Sequence, residues 1–133
     1  MKPIYHWALR IIPAFILLQT LFFKFTGSAE SVYIFETMRI EPWGRYSSGL
    51  AELIAAILLL IPKTSPFGAL IASGVMMGSI LSHLTMLGIE VMGDGGLLFG
   101  MAWVVLICSL IIIVVDRKQL LESALLKKIN GHS

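Results

Sequence analysis

Residues 97–115 read LLFGMAWVVLICSLIIIVV, an apolar stretch without one charged side chain. About 20 apolar residues in a helix span the ~30 Å hydrocarbon core of a bilayer, whereas a water-facing helix of that length needs a polar face. Three more apolar runs lie outward from it, at Ile4–Phe25, Ser48–Ile61 and Phe67–Leu87. The second is short, and Trp43–Ser48 extends it into the interface. The chain is 57% hydrophobic and 14% charged, with a mean hydropathy of +0.89. Soluble domains are about 25% charged, so this chain has too few polar groups to cover a surface facing water. The fold class expected is all-α. It is a four-transmembrane-helix bundle forming one integral membrane domain over residues 1–133, with spans near 4–25, 46–62, 66–87 and 96–115 and a tail over 116–133. A short amphipathic connector helix on the outer side and an amphipathic cytoplasmic C-terminal tail complete it.

Several functions are excluded at this level. The net charge is only +2, and no basic stripe with interleaved aromatics is present, so nucleic acid is not an expected partner. The single cysteine, Cys108, lies inside the fourth run, where it serves as a small buried apolar residue and cannot form an intrachain disulfide. Four helices use nearly the whole chain, which leaves no room for a soluble domain. Lys2, Arg10 and the Gly27-Ser28-Ala29 triplet have features of a secretory signal, but the first run exceeds the usual ~7–15-residue apolar region, and an uncleaved helix is expected.

Charge orients the bundle. With the N-terminus inside, the inner segments hold Lys2, Arg10, Lys63, Arg117, Lys118, Lys127 and Lys128, against Lys24, Arg39 and Arg45 outside. Basic residues favour the cytoplasmic side, so both termini are expected there. The outer side collects Glu30, Glu36, Glu41, Glu90 and Asp94. Tyr5 and Trp7 mark the inner interface, and Tyr33, Trp43 and Tyr46 the outer one. Thr64 or Ser65 caps the third helix, Pro66 opens it and Gly88 stops it. Pro62 closes the second, and Pro13 kinks the first. Arg10 is expected to reach cytoplasmic phosphates, and Gln19 to hydrogen-bond across helices.

Two amphipathic segments flank the spans. Ser28–Arg39 repeats Val32, Phe35 and Met38 every third residue and is expected to lie on the outer surface, as an interfacial connector or as a lid. Arg117–Ile129 places Leu121, Leu125 and Ile129 at i, i+4, i+8, with basic residues suited to an anionic leaflet or a partner helix. In the third helix Gly74, Gly78 and Ser82 repeat every four residues, a spacing that lets backbones approach. It serves helix packing within the chain or, in the sharper alternative, a homo-oligomer face.

The alternation of helix directions gathers the polar exceptions at one depth. Lys24 ends the first helix on the outer side, Glu52 lies one to two turns into the second, His83 lies about a turn below the end of the third, and Asp94 follows in the outer loop. An ionised group costs about 2.5–3.5 kcal/mol at the centre of a membrane helix, so each should face the bundle interior and find a partner. The simplest arrangement pairs Lys24 with Glu52, with His83 bonding to one of them or to the outer loop. Two readings follow: a clamp that fixes helix register, or a polar pocket in which these residues bind or exchange a proton with the head group of a lipophilic molecule. Glu52, His83 and Asp94 have no metal-ligand spacing, and no metal site is expected. No nucleophile–base pair, phosphate loop or haem-type histidine pair is visible.

Phe23-Lys24-Phe25-Thr26-Gly27, Gly49-Leu50-Ala51-Glu52-Leu53, Ile57-Leu58-Leu59-Leu60-Ile61-Pro62, Ser82-His83-Leu84 and Gly93-Asp94-Gly95-Gly96-Leu97-Leu98-Phe99 follow in this order. Together they resemble the DoxX and DoxX-like membrane proteins of bacteria, over roughly residues 8–120. The resemblance implies a four-helix bundle in the bacterial inner membrane. It also implies association with a redox partner, since some relatives are subunits of thiosulfate:quinone oxidoreductase. The architecture is similar to that of vitamin K epoxide reductase, whose paired cysteines this chain lacks. The leading expectation is a DoxX-like binding or accessory subunit with an outer pocket at Lys24, Glu52 and His83. The alternatives are an enzyme or enzyme subunit acting on a quinone or another lipophilic substrate, and a structural scaffold using the Gly74/Gly78 face. No cofactor motif is evident, and quinone is the candidate the resemblance brings.

Overall fold

The computed structural model describes residues 3–90, 93 and 95–122. In chain order these form α1 (Pro3–Thr26), α2 (Ala29–Thr37), α3 (Trp43–Leu60), α4 (Ser65–Ser82) and α5 (Leu97–Val115), with a π-helical turn over His83–Leu87 prolonging α4. No strand occurs among the described residues. α1 and α4 each pack against both α3 and α5, so the four long helices close a ring with α1 and α4 on one diagonal.

Small residues set the spacing of that ring. Ala14, Ala55, Ala56, Ala69, Ala72 and Ala102 fill its interior with Leu17, Leu59, Val105 and Ile112. Between apolar helices in an apolar solvent, close van der Waals contact supplies the association that burial supplies in water. The tightest approach is at Gly68, where a Cβ would stand 2.7 Å from the Leu59 amide nitrogen and 2.8 Å from the Ala55 carbonyl. The outside of the ring is apolar too: Phe15, Phe22, Leu81, Leu84, Ile107 and Val114 are all exposed. Apolar patches of this extent are unusual on soluble monomers and are compatible with contact to a lipid bilayer. Ile4–Thr26, Ser65–Leu87 and Leu97–Val115 are long and apolar enough to cross a membrane. α3 is not among them; it carries Arg45 and Glu52 in its first three turns.

The end of the ring away from α2 is laced shut. Sequence sends Arg10 outward to lipid phosphates, but the structure buries it, with 2% of its surface exposed. Its Nε donates to the Leu59 carbonyl at 3.0 Å and an Nη donates to Leu60 at 2.9 Å. The guanidinium also lies 4.1 Å over the Trp7 ring. The last carbonyls of a helix have no partner of their own, and a planar guanidinium can satisfy two of them. Thr64 stands at the N-cap of α4 as expected, but its hydroxyl bonds the Leu58 carbonyl at 2.9 Å and gives the α4 amides no side-chain cap. His6 Nε2 meets Asp116 Oδ2 at 3.0 Å, tying the start of α1 to the end of α5. Gln119 donates to the Lys63 carbonyl.

Hydroxyls within the spans settle in two ways. Thr85 bonds its own helix at the Leu81 carbonyl, 2.7 Å away. The hydroxyls of Ser65, Ser73 and Ser109 are enclosed without such a bond among the described residues. Cys108 is half-buried rather than buried. Helical conformation resumes over 117–122, and the expected amphipathic tail through Lys127, Lys128 and Ile129 lies outside the described residues.

Candidate functional site

α1 ends in a glycine-dependent turn that sets up one end of the ring. Gly27 adopts φ +70°, the left-handed conformation that side chains disfavour. The Gly27 amide returns to the Lys24 carbonyl and the Ser28 amide to the Phe23 carbonyl at 3.0 Å, the pattern of a Schellman ending. Ser28 then caps α2 by accepting from the Ser31 amide at 3.2 Å. This reversal folds α2 back over the mouth of the ring. The inward face of α2 is Ser31, Ile34, Phe35 and Met38, with Ser31 and Phe35 buried. Phe35 and Met38 face inward as expected, and Ser31 and Ile34 accompany them in place of Val32.

The same turn fixes Lys24. Its ammonium donates to Glu52 Oε1 and lies 5.7 Å from the Phe35 ring centre. Glu52 is 1% exposed, and its other oxygen accepts from Thr20 Oγ1 at 3.1 Å. Both oxygens of an enclosed carboxylate therefore have donors, as a buried charge requires. The cross-helix bond expected of Gln19 is made by Thr20; Gln19 is exposed. One residue is about 100° of helix rotation, enough to exchange interior for exterior.

A second charged layer sits above, and sequence reasoning did not pair it. Arg45 is buried; its Nε donates to Glu41 Oε1 at 2.8 Å, and one Nη reaches the Lys24 carbonyl. Its guanidinium also lies 4.5 Å from the Tyr46 ring centre. The Glu41–Arg45 spacing of four, at the start of a helix, was the available signal. The arrangement ties the end of α1 to the start of α3 directly over the Lys24–Glu52 pair.

Beneath α2 lies a cavity of about 650 Å³, partly open, within the usual range for small-molecule sites. α1 contributes Ile16, Leu17, Thr20, Phe23 and Lys24 to its wall; α3 contributes Ser48 and Glu52; α5 contributes Leu98, Met101 and Ala102. The α4 wall is Gly74, Val75, Met76, Gly78, Ser79 and Ser82, continued by His83 and Leu87. Leu17, Met76 and Ala102 belong also to the packed core and form the floor. Lys24, Glu52 and His83 thus share one cavity. His83 bonds neither of the other two: its Nδ1 pairs with the Gly88 carbonyl at 2.9 Å, and its ring stands edge-on to Phe99 at 5.5 Å.

The small-residue row changes meaning. A Cβ on Gly74 or Gly78 would meet nothing within 4 Å, so these glycines widen the cavity instead of drawing two helices of the chain together. Ser82 bonds its own helix at the Gly78 carbonyl, 2.8 Å away. The close approach is at Gly68, which the four-residue pattern did not single out. Asp94 lies outside the described residues. No group of three or more metal-ligating side chains occurs among the described residues. Comparison of the chain with protein-family models, with curated proteins and with solved structures finds no match.

Proposed function

We propose that this chain is a DoxX-like, four-span membrane protein that binds a lipophilic small molecule between its helices. In this reading α3 is the fourth span. Eighteen residues rise about 27 Å, close to the hydrocarbon thickness, and exposed Trp43 and Tyr46 anchor its start at an interface. Lys63, Arg117 and Lys118 lie at the end away from α2, so that end faces the cytoplasm and the cavity opens in the outer half of a bacterial inner membrane. The observation that carries the proposal is the composition of the cavity wall. It is mostly apolar, yet it brings Lys24, Glu52, Thr20 and His83 to one partly open cavity. An apolar body with a polar head fits such a wall, and a lipid, a quinone or a comparable molecule has that form. The Lys24–Glu52 pair also joins α1 to α3, so it acts as a clamp whether or not a guest is present.

The test is mass spectrometry of small molecules that co-purify with the protein from membranes, wild type against Gly78→Leu and Glu52→Gln. The leucine has room at position 78 and extends into the cavity. The proposal expects a molecule enriched with wild type and lost with Gly78→Leu. Equal retention by all three proteins overturns it. Activity of the isolated chain on that molecule would make the protein an enzyme; activity only beside a redox partner would make it an accessory subunit.

A further inference from the structure

His83 carries more information than its presence in the wall. Its Nδ1 stands 2.9 Å from the Gly88 carbonyl oxygen. A carbonyl only accepts, so Nδ1 holds a proton and donates. In the neutral ring Nε2 is then bare and can only accept. Two contacts hold this arrangement. Phe99 stands edge-on against the ring, and Gly88 takes φ +79° at the stop of the π-helical turn, which directs its carbonyl back to His83. His83 is 3% exposed and lines the cavity. Its Nε2 has no partner among the described residues, yet it is not one of the fully enclosed unpartnered atoms. The cavity is the space left for it. Glu52, by contrast, already has a donor on each oxygen, and Lys24 offers only donors.

We infer that the guest is a lipophilic molecule whose head is a hydroxyl, held by donation to His83 Nε2, a contact that the corresponding carbonyl compound cannot make. This rests on the cavity being a binding site. A hydroxyl gives the bare nitrogen its missing donor. A carbonyl at the same place sets two lone pairs against each other and leaves both unsatisfied. The discrimination expected is about tenfold, the ordinary scale for one unmet hydrogen bond in an enclosed site. An aromatic diol such as a quinol and an aliphatic alcohol share this chemistry.

The experiment measures binding to the full chain in nanodiscs, anaerobically, with two matched pairs: decylhydroquinone against decylquinone, and 2-dodecanol against 2-dodecanone. Wild type should favour the hydroxyl member about tenfold. A preference confined to the first pair identifies an aromatic diol, and a preference in both identifies a general lipophilic alcohol. His83→Gln, which offers both a donor and an acceptor, should bind both members of a pair to within about twofold. Gly88→Ala, strained at its positive φ but adding no atom near the cavity, should weaken the preference in the same direction. Gly78→Leu should abolish binding of every probe. Equal binding of hydroxyl and carbonyl members to wild type, still blocked by Gly78→Leu, overturns the hydroxyl assignment alone. Binding that Gly78→Leu does not touch overturns the cavity as the site.

Discussion

Gly68 and Gly74 lie on one helix, and replacing each by alanine should have opposite consequences. At Gly68 the new Cβ would stand 2.7 Å from a backbone nitrogen of α3, against an ordinary contact of at least 3.4 Å, so the helices must part by 3.4 − 2.7 = 0.7 Å or more. The obstacle is backbone, which cannot turn aside as a side chain can, and Ala55, Leu59, Ala69 and Ala72 lose contact together. Overpacking of this kind costs about 1–3 kcal/mol. At Gly74 the Cβ meets nothing within 4 Å. Both substitutions gain the same helix preference of alanine over glycine, about 0.5–1 kcal/mol, so this gain cancels in the comparison. The two variants should then differ by the overpacking cost alone, roughly 5- to 150-fold in the folding equilibrium. Titration with SDS from mixed micelles, followed by far-UV circular dichroism, measures it. Gly74→Ala should match or exceed wild type, and Gly68→Ala should fall below it. Equal losses in the two variants would refute the assignment of Gly68 to helix packing and Gly74 to the cavity wall.

Three further outcomes are expected. Glu52→Leu leaves the Lys24 ammonium without its acceptor, while the Thr20 hydroxyl keeps the Leu17 carbonyl at 3.0 Å, and should cost about 3 kcal/mol in the same titration; adding Lys24→Met should restore more than half of it. Arg10→Met strips the donors from two terminal carbonyls of α3 and should cost about 2–3 kcal/mol, with Arg10→Lys recovering only part because one ammonium cannot reproduce the planar fork. Phe35→Ala removes the buried anchor of α2; hydrogen exchange over residues 29–37 should quicken by roughly 30-fold, as for a local opening eased by about 2 kcal/mol, while amides of α5 keep their rates.

Depth along each helix was legible in the sequence, and rotation about the helix axis was not. Antiparallel alternation brings Lys24 and Glu52 to one level, and a short buried acid beside a long amine leaves one economical pairing, which forms. Gln19 and Thr20 differ by one step of the helix, and no nearby pattern says which of them faces inward. Arg10 at a helix end near an interface fits two destinations equally, lipid phosphates or the carbonyls of a neighbouring helix. The choice depends on α3 ending beside it, a fact of tertiary structure. The spacing of Gly74, Gly78 and Ser82 has the same ambiguity. A missing side chain permits either intimate contact or empty space, and only the position of the surrounding helices decides. Gly68 has Ala72 four residues on, the same small-residue spacing, so the pattern was there but no stronger than the row at Gly74, Gly78 and Ser82. The hydrogen-bonding state of His83 depends on the backbone of Gly88, five residues on, where a π-helical turn replaces the α-helix expected there.

The contrast between the two ends of the ring limits what the molecule can do with a guest. Leu17, Met76 and Ala102 close the bottom of the chamber, and below them Arg10, Thr64 and the His6–Asp116 contact bind the helices together. The chamber is therefore floored at one end, and in the proposed reading a guest rests on that floor and does not thread the ring from end to end.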